Sequence, residues 1–182
     1  MSVKQELLDK AEVMVRAGGY NNFSFRDLAE QVGIKSASVH YHFKTKSDLV
    51  VELVQRYTQR FQEQLLQASL VQPEEPAELI CSAFESSLQS TGMLCLCGLL
   101  AAEGDGLPEP VRLATREFFL TSQRWLSQQL QAQHQLNPAE AEHRALALMA
   151  ILEGAMLLAK VHQDQALFSR IAGELISLLK QK

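Results

Sequence analysis

The sequence predicts an all-α protein, with a three-helix helix-turn-helix module at its N-terminus and a larger helical domain after it. Apolar residues recur at helical spacing along nearly the whole chain, and no segment alternates apolar and polar residues between turns as a strand would. Two capping-box pairs, Ser24 with Asp27 and Thr45 with Asp48, indicate helix starts within the first fifty residues. An apolar content of 47% is enough for a substantial core.

Three short helices are predicted first. The first has an apolar stripe and is ended by Gly18 and Gly19. The second begins at the Ser24 capping box and is ended by Gly33, and the third runs from about Ser36 to Phe43. The stripe of the first helix consists of Leu7, Leu8, Ala11, Met14 and Val15.

A long fourth helix follows the Thr45 capping box and ends near residues 72–73. It repeats apolar residues every four positions, at Leu49, Leu53, Tyr57, Phe61 and Leu65. Residues 73–76, with the sequence PEEP, form the clearest break between helices. Five more helices are expected at about 76–91, 93–103, 110–134, 138–162 and 165–180. The segment 93–103 is apolar all round and should cross the middle of the second domain. We expect a DNA-binding domain at 1–48 and an effector-binding and dimerisation domain at 49–182.

Charge and composition indicate where a nucleic acid would bind and in which compartment the protein works. Residues 1–60 contain nine Lys or Arg against seven Asp or Glu, a charge of +2, whereas residues 61–182 contain eight against fourteen, a charge of −6. A polyanion should therefore meet the first third of the chain. No apolar stretch is long enough for a signal peptide or a membrane span, so we expect a cytoplasmic protein without a membrane partner. Because that compartment is reducing, we expect the three cysteines to be free thiols.

The sequence offers no catalytic constellation. It has no Ser/His/Asp arrangement, no Gly-rich phosphate loop and no metal-spaced His/Cys cluster. We therefore predict neither enzyme activity nor a cofactor or metal.

The stretch from Phe23 to Lys46, FSFRDLAEQVGIKSASVHYHFKTK, has the pattern of a DNA-reading unit. Two helices this short need a shared core with the first helix, which Leu28, Ala29, Val32, Ile34, Val39 and Phe43 supply. Small and hydrogen-bonding groups remain on the outside of the third helix, where they suit a major groove: Lys35, Ser36, Ala37, Ser38, His40, Tyr41 and His42.

The same stretch resembles the N-terminal module of the TetR family of transcriptional regulators, over roughly residues 5–55. The resemblance implies that Arg26 on the second helix contacts DNA, that Lys46 binds a phosphate, and that the third helix contributes Ser36, Ala37, His40, Tyr41 and His42. His40 stands where the family commonly has tyrosine, and Ala37 where it often has glycine or proline, so the motif does not specify the operator sequence.

The second domain carries aromatic and sulfur-containing residues that would suit a hydrophobic effector of unidentified structure. The candidate pocket residues are Phe84, Met93, Leu96, Phe118, Trp125 and Met149. Taken singly, each of these residues is more typical of plain core packing, because every helical bundle needs such side chains.

Cys95 and Cys97 raise the alternative of a thiol-based redox or electrophile sensor. On one helix, residues two apart point about 200° away from each other, which opposes joint metal binding or a disulfide. A second alternative is an architectural protein that binds DNA or a helical partner without regulation. Glu153 and Gly154 interrupt an apolar run, and the buried carboxylate predicted there needs a partner.

The last two helices carry more apolar surface than one small domain needs to cover. A second copy of the chain would cover it as a four-helix bundle. The predicted interface residues are Leu148, Leu152, Ala155, Met156, Ala159, Ile171 and Leu175. Together with the resemblance, this predicts a homodimer that binds a palindromic operator in double-stranded DNA and is released by a small molecule.

Overall fold

The computed structural model describes residues 2–71 and 75–180, and in these ranges every regular element is a helix, as the sequence predicts. The α-helices are α1 Val3–Gly18, α2 Phe25–Val32, α3 Ser36–His42, α4 Lys46–Val71, α5 Pro76–Thr91, α6 Leu96–Glu103, α7 Glu109–His134, α8 Pro138–Val161 and α9 Ala166–Lys180. Two short 3₁₀ turns, Tyr20–Asn22 and Gly104–Gly106, follow α1 and α6.

Local capping explains where the short helices begin and end. At α2, Ser24 Oγ accepts the Asp27 N–H at 3.2 Å and the Asp27 carboxylate accepts the Ser24 N–H at 2.8 Å. Thr45 and Asp48 make the same pair of bonds at the start of α4, at 3.1 and 3.0 Å. Gly33, with φ of +74°, ends α2 in the left-handed conformation that glycine adopts most readily. Both predicted capping boxes are confirmed.

The predicted helix at 93–103 begins only at Leu96. Gly92 ends α5 with φ of +63°, and the three residues after it form the connection to α6. Cys95 therefore precedes α6, so the expectation that Cys95 and Cys97 share a helix was wrong. Residues 73–74 of the predicted linker lie outside the described part of the chain.

The contacts within the chain define two compact units. One unit comprises Met1–Gln59 with Leu96–Phe118, and the other comprises Arg60–Cys95 with Phe119–Lys182. The helix-turn-helix thus shares a unit with α6 and the first part of α7. The division at residues 48 and 49 stays a prediction about function.

Each unit has its own apolar core. In the first unit, Leu7, Leu28, Leu49 and Leu100 are fully buried. In the second, the core is built from Ile80, Phe84, Leu152, Met156 and Phe168, of which none is more than 2% exposed. The predicted α4 residues at four-residue spacing are all buried, which confirms the inward face of that helix.

Candidate nucleic-acid interface

Helix α3 is held by apolar contacts on its inner side only. Val39 and Phe43 are buried, and so are Leu28 and Ala29 of α2, against which α3 packs. Because a seven-residue helix is not stable alone, this packing fixes its orientation. The outer side is left free for other contacts.

That outer side carries the predicted polar and small residues. Ala37, Ser38, His40 and Tyr41 are exposed, while Ser36 and His42 are partly buried. Tyr41 is 85% exposed, although an aromatic ring of this size is usually covered in a protein without a partner.

Aromatic contacts involve three side chains of the α3 surface. The His40 ring meets the Phe25 ring edge-on with 4.9 Å between ring centroids, and the Tyr41 and His42 rings are 5.2 Å apart. These contacts restrict the orientations of the rings in the free protein. The rings therefore lose less conformational freedom on binding.

Three exposed cations lie beside α3 along the chain or on α2, which packs against it. Arg26 at the start of α2 and Lys35 before α3 are exposed, as the sequence analysis expects of DNA-contacting residues. Lys44, in the connection from α3 to α4, is also exposed and makes no ion pair with any residue of the described chain. The sequence analysis missed Lys44 because nothing in the local pattern distinguishes it from Lys46.

Lys46 is engaged within the protein. It is partly buried, and its Nζ donates a hydrogen bond to the Phe23 carbonyl oxygen at 2.5 Å. The ammonium lies 4.6 Å from the Tyr20 ring centroid and 4.5 Å from that of Phe23, in cation–π geometry. Burial lowers its pKa, and the charges of Glu103 and Asp27 act in the opposite direction. Lys46 therefore joins α4 to the turn before α2, and Lys44 is the better placed lysine for a phosphate.

The six candidate effector residues do not fall in one unit. Phe84, Met93, Trp125 and Met149 belong to the second unit, whereas Leu96 and Phe118 belong to the first. The Phe84 ring packs on Phe61 at 5.6 Å and the Phe118 ring on Tyr57 at 5.5 Å, as core residues do. An effector site lined by these residues stays a prediction.

All three cysteines are buried, and none of them forms a disulfide in the described chain. Burial raises the pKa of the Cys81 thiol to about 12, with Glu85 and Glu78 adding to the effect, so the reactive thiolate is disfavoured. Cys95 is 2% exposed and Cys97 has no exposed surface, which opposes attack by an electrophile from solvent. The redox alternative gains no support from this burial.

Glu153 of α8 is the buried carboxylate that the sequence predicts, and its partner is a cysteine. Burial raises the pKa of Glu153 to about 7, and a hydrogen bond from the Cys95 thiol acts against that rise. Its Oε1 atom is buried and has no hydrogen-bond partner among the residues that the structure describes. The group is therefore poised between its protonated and ionised forms near neutral pH.

The predicted α8 interface residues face the inside of their own unit. Leu148, Leu152, Ala155, Met156 and Ala159 are each at most 2% exposed. They lie on the stripe of α8 that packs into the protomer core, so a partner could not reach them without unfolding that core. The α8 part of the predicted interface is therefore corrected, because periodicity identified an apolar stripe without identifying what covers it.

Another apolar stripe of α8 remains exposed beside α9. Ile151 and Leu158 are exposed on α8, and Leu178 is 63% exposed on α9. Predicted residues Ile171 and Leu175 are partly exposed and line the same shallow groove of about 330 Å³, together with Ile151, Arg170, Glu174 and Leu178. A side chain at Gly154 would meet no atom within 4 Å, so the neighbouring surface is open.

Two kinds of feature are absent from the described residues. None of the helices described here is both long enough and apolar enough to cross a membrane. Across the part of the chain that the structure describes, His, Cys, Asp and Glu form no group of three that could hold a metal ion.

Comparison with known families assigns both parts of the chain. Residues 7–53 match the model for bacterial regulatory proteins of the tetR family. Residues 73–174 match the model for the C-terminal domain of LmrA/YxaF-like transcriptional regulators. Together these matches cover the DNA-reading helices and most of the remaining chain.

Solved structures agree over the full length. A TetR-family transcriptional regulator from Agrobacterium tumefaciens is 32% identical, with a TM-score of 0.86, over 96% of this chain and 95% of that one. A TetR transcriptional regulator from Legionella pneumophila is 27% identical, with a TM-score of 0.90, over 98% of this chain and 97% of that one.

A similarity in sequence extends to a transcriptional repressor. The HTH-type transcriptional repressor KstR2 of Mycolicibacterium smegmatis is 32% identical over 89 residues, which are 47% of this chain and 43% of that protein.

Proposed function

The chain belongs to the TetR family of DNA-binding transcriptional regulators, and from that premise we propose that it is a dimeric repressor which a small molecule releases from a palindromic operator. The observation that carries the proposal is the exposed face of α3. An apolar inner side holds this helix firmly while Ala37, Ser38, His40 and Tyr41 stay exposed.

These side chains have the chemistry of base readout. Ala37 and Ser38 are small, so the N-terminal half of α3 can approach base edges closely. His40 and Tyr41 carry hydrogen-bonding groups on rings that neighbouring rings hold in place. We therefore assign sequence discrimination to His40 and Tyr41, with Ser36 and His42 at the edge of the contact.

We assign phosphate binding to cations near the proposed base contact of α3. Arg26, Lys35 and Lys44 are exposed around α3, and cations so distributed position a protein on the duplex without reading its sequence. Lys44 takes the phosphate role that the sequence analysis gave to Lys46.

The proposed dimer is supported by the exposed stripe on α8 and α9, defined by Ile151, Leu158, Ile171, Leu175 and Leu178. A stripe of this extent is unfavourable in water, and a two-fold partner presenting the same helices would cover it. The open space next to Gly154 supports close approach of a second backbone. Two α3 helices about 34–36 Å apart would then enter successive major grooves of one palindrome.

Operator binding is tested by selecting fragments of the source genome on the immobilised protein and sequencing them. The expected result is a two-fold symmetric motif that binds about 10³-fold or more tightly than random duplex at physiological salt. Equal affinity for selected and random duplexes would contradict sequence-specific regulation and favour the architectural alternative.

The interface is tested by Leu178→Arg, with Leu113→Arg as its matched control. Leu178 is 63% exposed on the proposed interface, and Leu113 of α7, in the other compact unit, is 55% exposed, so an arginine is tolerated at both sites in a protomer. We expect sedimentation of Leu178→Arg as a monomer with weakened operator binding, because the interface would bury an unpaired charge. A dimeric Leu178→Arg protein, or a monomeric Leu113→Arg protein, would contradict the assignment.

Repression and effector release are proposed from the family's typical behaviour, and the KstR2 likeness supports repression. An effector can act only if it binds the DNA-incompetent state more tightly than the bound state. The test screens metabolites for those that raise the thermal midpoint of the free protein, then measures operator release by each. Compounds that bind without weakening operator affinity would contradict effector-released repression.

A further inference from the structure

The last residue of α6 contacts the turn that follows α1. The Glu103 carboxylate accepts the backbone N–H of Tyr20 at 2.6 Å, although the two residues are 83 positions apart in sequence. Both lie in the same compact unit. A hydrogen bond to a charged acceptor is among the stronger kinds in proteins, so this contact restrains the turn.

The backbone of the turn is shaped for this contact. Gly19 has φ of +84° and ψ of −178°, a conformation that side chains rarely permit. A Cβ at Gly19 would collide with Glu103 Oε1. The backbone angles therefore favour glycine at this position, and an added side chain would also displace the Glu103 carboxylate from its contact.

Lys46 holds the same turn from α4. Its ammonium donates a hydrogen bond to the Phe23 carbonyl and lies over the Tyr20 and Phe23 rings. The negative charges of Glu103 and Asp27 both favour the protonated form of Lys46. The turn from Gly19 to Phe23 thus receives one contact from the end of α6 and one from the start of α4.

This turn leads directly into the DNA-reading helices. Phe23 is followed by Ser24, the cap of α2, and α2 is the helix against which α3 packs. We infer that Glu103 is a positioning residue, which fixes the turn between α1 and α2 and thereby the orientation in which α3 is offered to DNA. The inference rests on the proposed function for its DNA readout and deepens it by naming a residue outside the helix-turn-helix on which the orientation of α3 depends.

The experiment compares Glu103→Ala and Glu103→Gln with Asp105→Asn in the full-length protein. Alanine removes the acceptor, glutamine keeps an acceptor oxygen without the charge, and Asp105 is an exposed carboxylate two residues away that pairs with Arg112. Amide exchange of the free protein is measured by NMR. We expect exchange at Tyr20 to accelerate about tenfold in Glu103→Ala and less in Glu103→Gln, with no change in Asp105→Asn.

Operator affinity supplies a second readout with a distinctive sign. Removing a negative charge from a DNA-binding unit should by itself strengthen binding to any duplex. Loss of positioning should instead weaken operator binding, by about three- to tenfold in Glu103→Ala, with random duplex unaffected or bound more tightly. Partial rescue in Glu103→Gln would identify the hydrogen bond as the cause.

Unchanged exchange at Tyr20 in Glu103→Ala, or equal acceleration in Asp105→Asn, would overturn the inference. So would faster exchange without loss of operator affinity. If the wild-type protein does not distinguish operator from random duplex, the proposed function fails, and the exchange rates still decide whether Glu103 restrains the turn. Glutamine retains the size and an acceptor, so Glu103→Gln provides the decision if the alanine variant does not fold.

Discussion

Replacing Glu153 by glutamine should make the protein's stability less sensitive to pH. The Glu153 pKa lies near 7 in the folded protein, against an ordinary value of 4.5, chiefly because burial disfavours the charged carboxylate. At pH values between 4.5 and about 7, the Glu153 carboxyl is protonated in the folded state and ionised in the unfolded state. The free energy of unfolding contributed by this group therefore falls as pH rises from about 4.5 to about 7, and the full penalty persists above that.

The magnitude follows from the shift. One pKa unit corresponds to about 1.4 kcal/mol, so a rise from 4.5 to about 7 corresponds to roughly 3 to 4 kcal/mol over the whole titration. Between pH 5 and pH 8 the expected change is about 2 kcal/mol, because the carboxyl of the unfolded state has already lost part of its proton occupancy below pH 5. Glutamine has a similar shape and does not ionise, so its buried amide changes stability by an amount that does not vary with pH.

Urea denaturation of both proteins at pH 5, 6, 7 and 8, at one fixed protomer concentration, measures this effect. The difference in unfolding free energy, Glu153→Gln minus wild type, should rise by about 2 kcal/mol from pH 5 to pH 8. Glu142→Gln, at an exposed glutamate of the same helix, corrects for the general effect of removing a negative charge. A difference that stays constant across this pH range, or that Glu142→Gln reproduces, would refute the reasoning.

Three further variants test the DNA-reading unit. His40→Ala should weaken operator binding about tenfold and leave random duplex unaffected, since one base contact is worth about 1–3 kcal/mol; equal losses in titrations of both duplexes would remove its role in base reading. Lys44→Ala should weaken binding to every duplex and reduce the slope of log K against log salt by about one unit, and an unchanged slope would return the phosphate role to Lys46. Gly19→Ala should lower the free energy of unfolding by about 1–3 kcal/mol in urea denaturation, because alanine does not tolerate the glycine conformation; an unchanged midpoint would show that the turn relaxes without cost.

Local sequence signals predicted most helix boundaries correctly. The Ser24 and Thr45 capping boxes, Gly33 after α2, and Pro76 and Pro138 at helix starts act within one turn of the chain, so they work without tertiary contacts. The segment after Gly92 was predicted less well. Its uninterrupted apolar residues resemble a helix from Met93, and no local signal marks the three residues that connect α5 to α6.

Tertiary structure decided which of two neighbouring lysines is engaged within the protein. Lys44 and Lys46 are two residues apart and have the same chemistry, so their sequence context does not separate them. The difference arises because Phe23 and Tyr20, more than twenty positions earlier, surround Lys46 and leave Lys44 in solvent.

The sequence by itself determined the all-α fold, the helix-turn-helix and the family, because these depend on periodicity, capping and a contiguous motif. Only the tertiary structure decided which stripe of α8 lies inside the protomer, that Cys95 hydrogen bonds to Glu153, and that Glu103 contacts the Tyr20 backbone. A helix with two adjacent apolar stripes has the same sequence pattern whether one stripe or the other is buried within the protomer. Contacts between residues 58 or 83 positions apart depend on how helices pack, which no local pattern records.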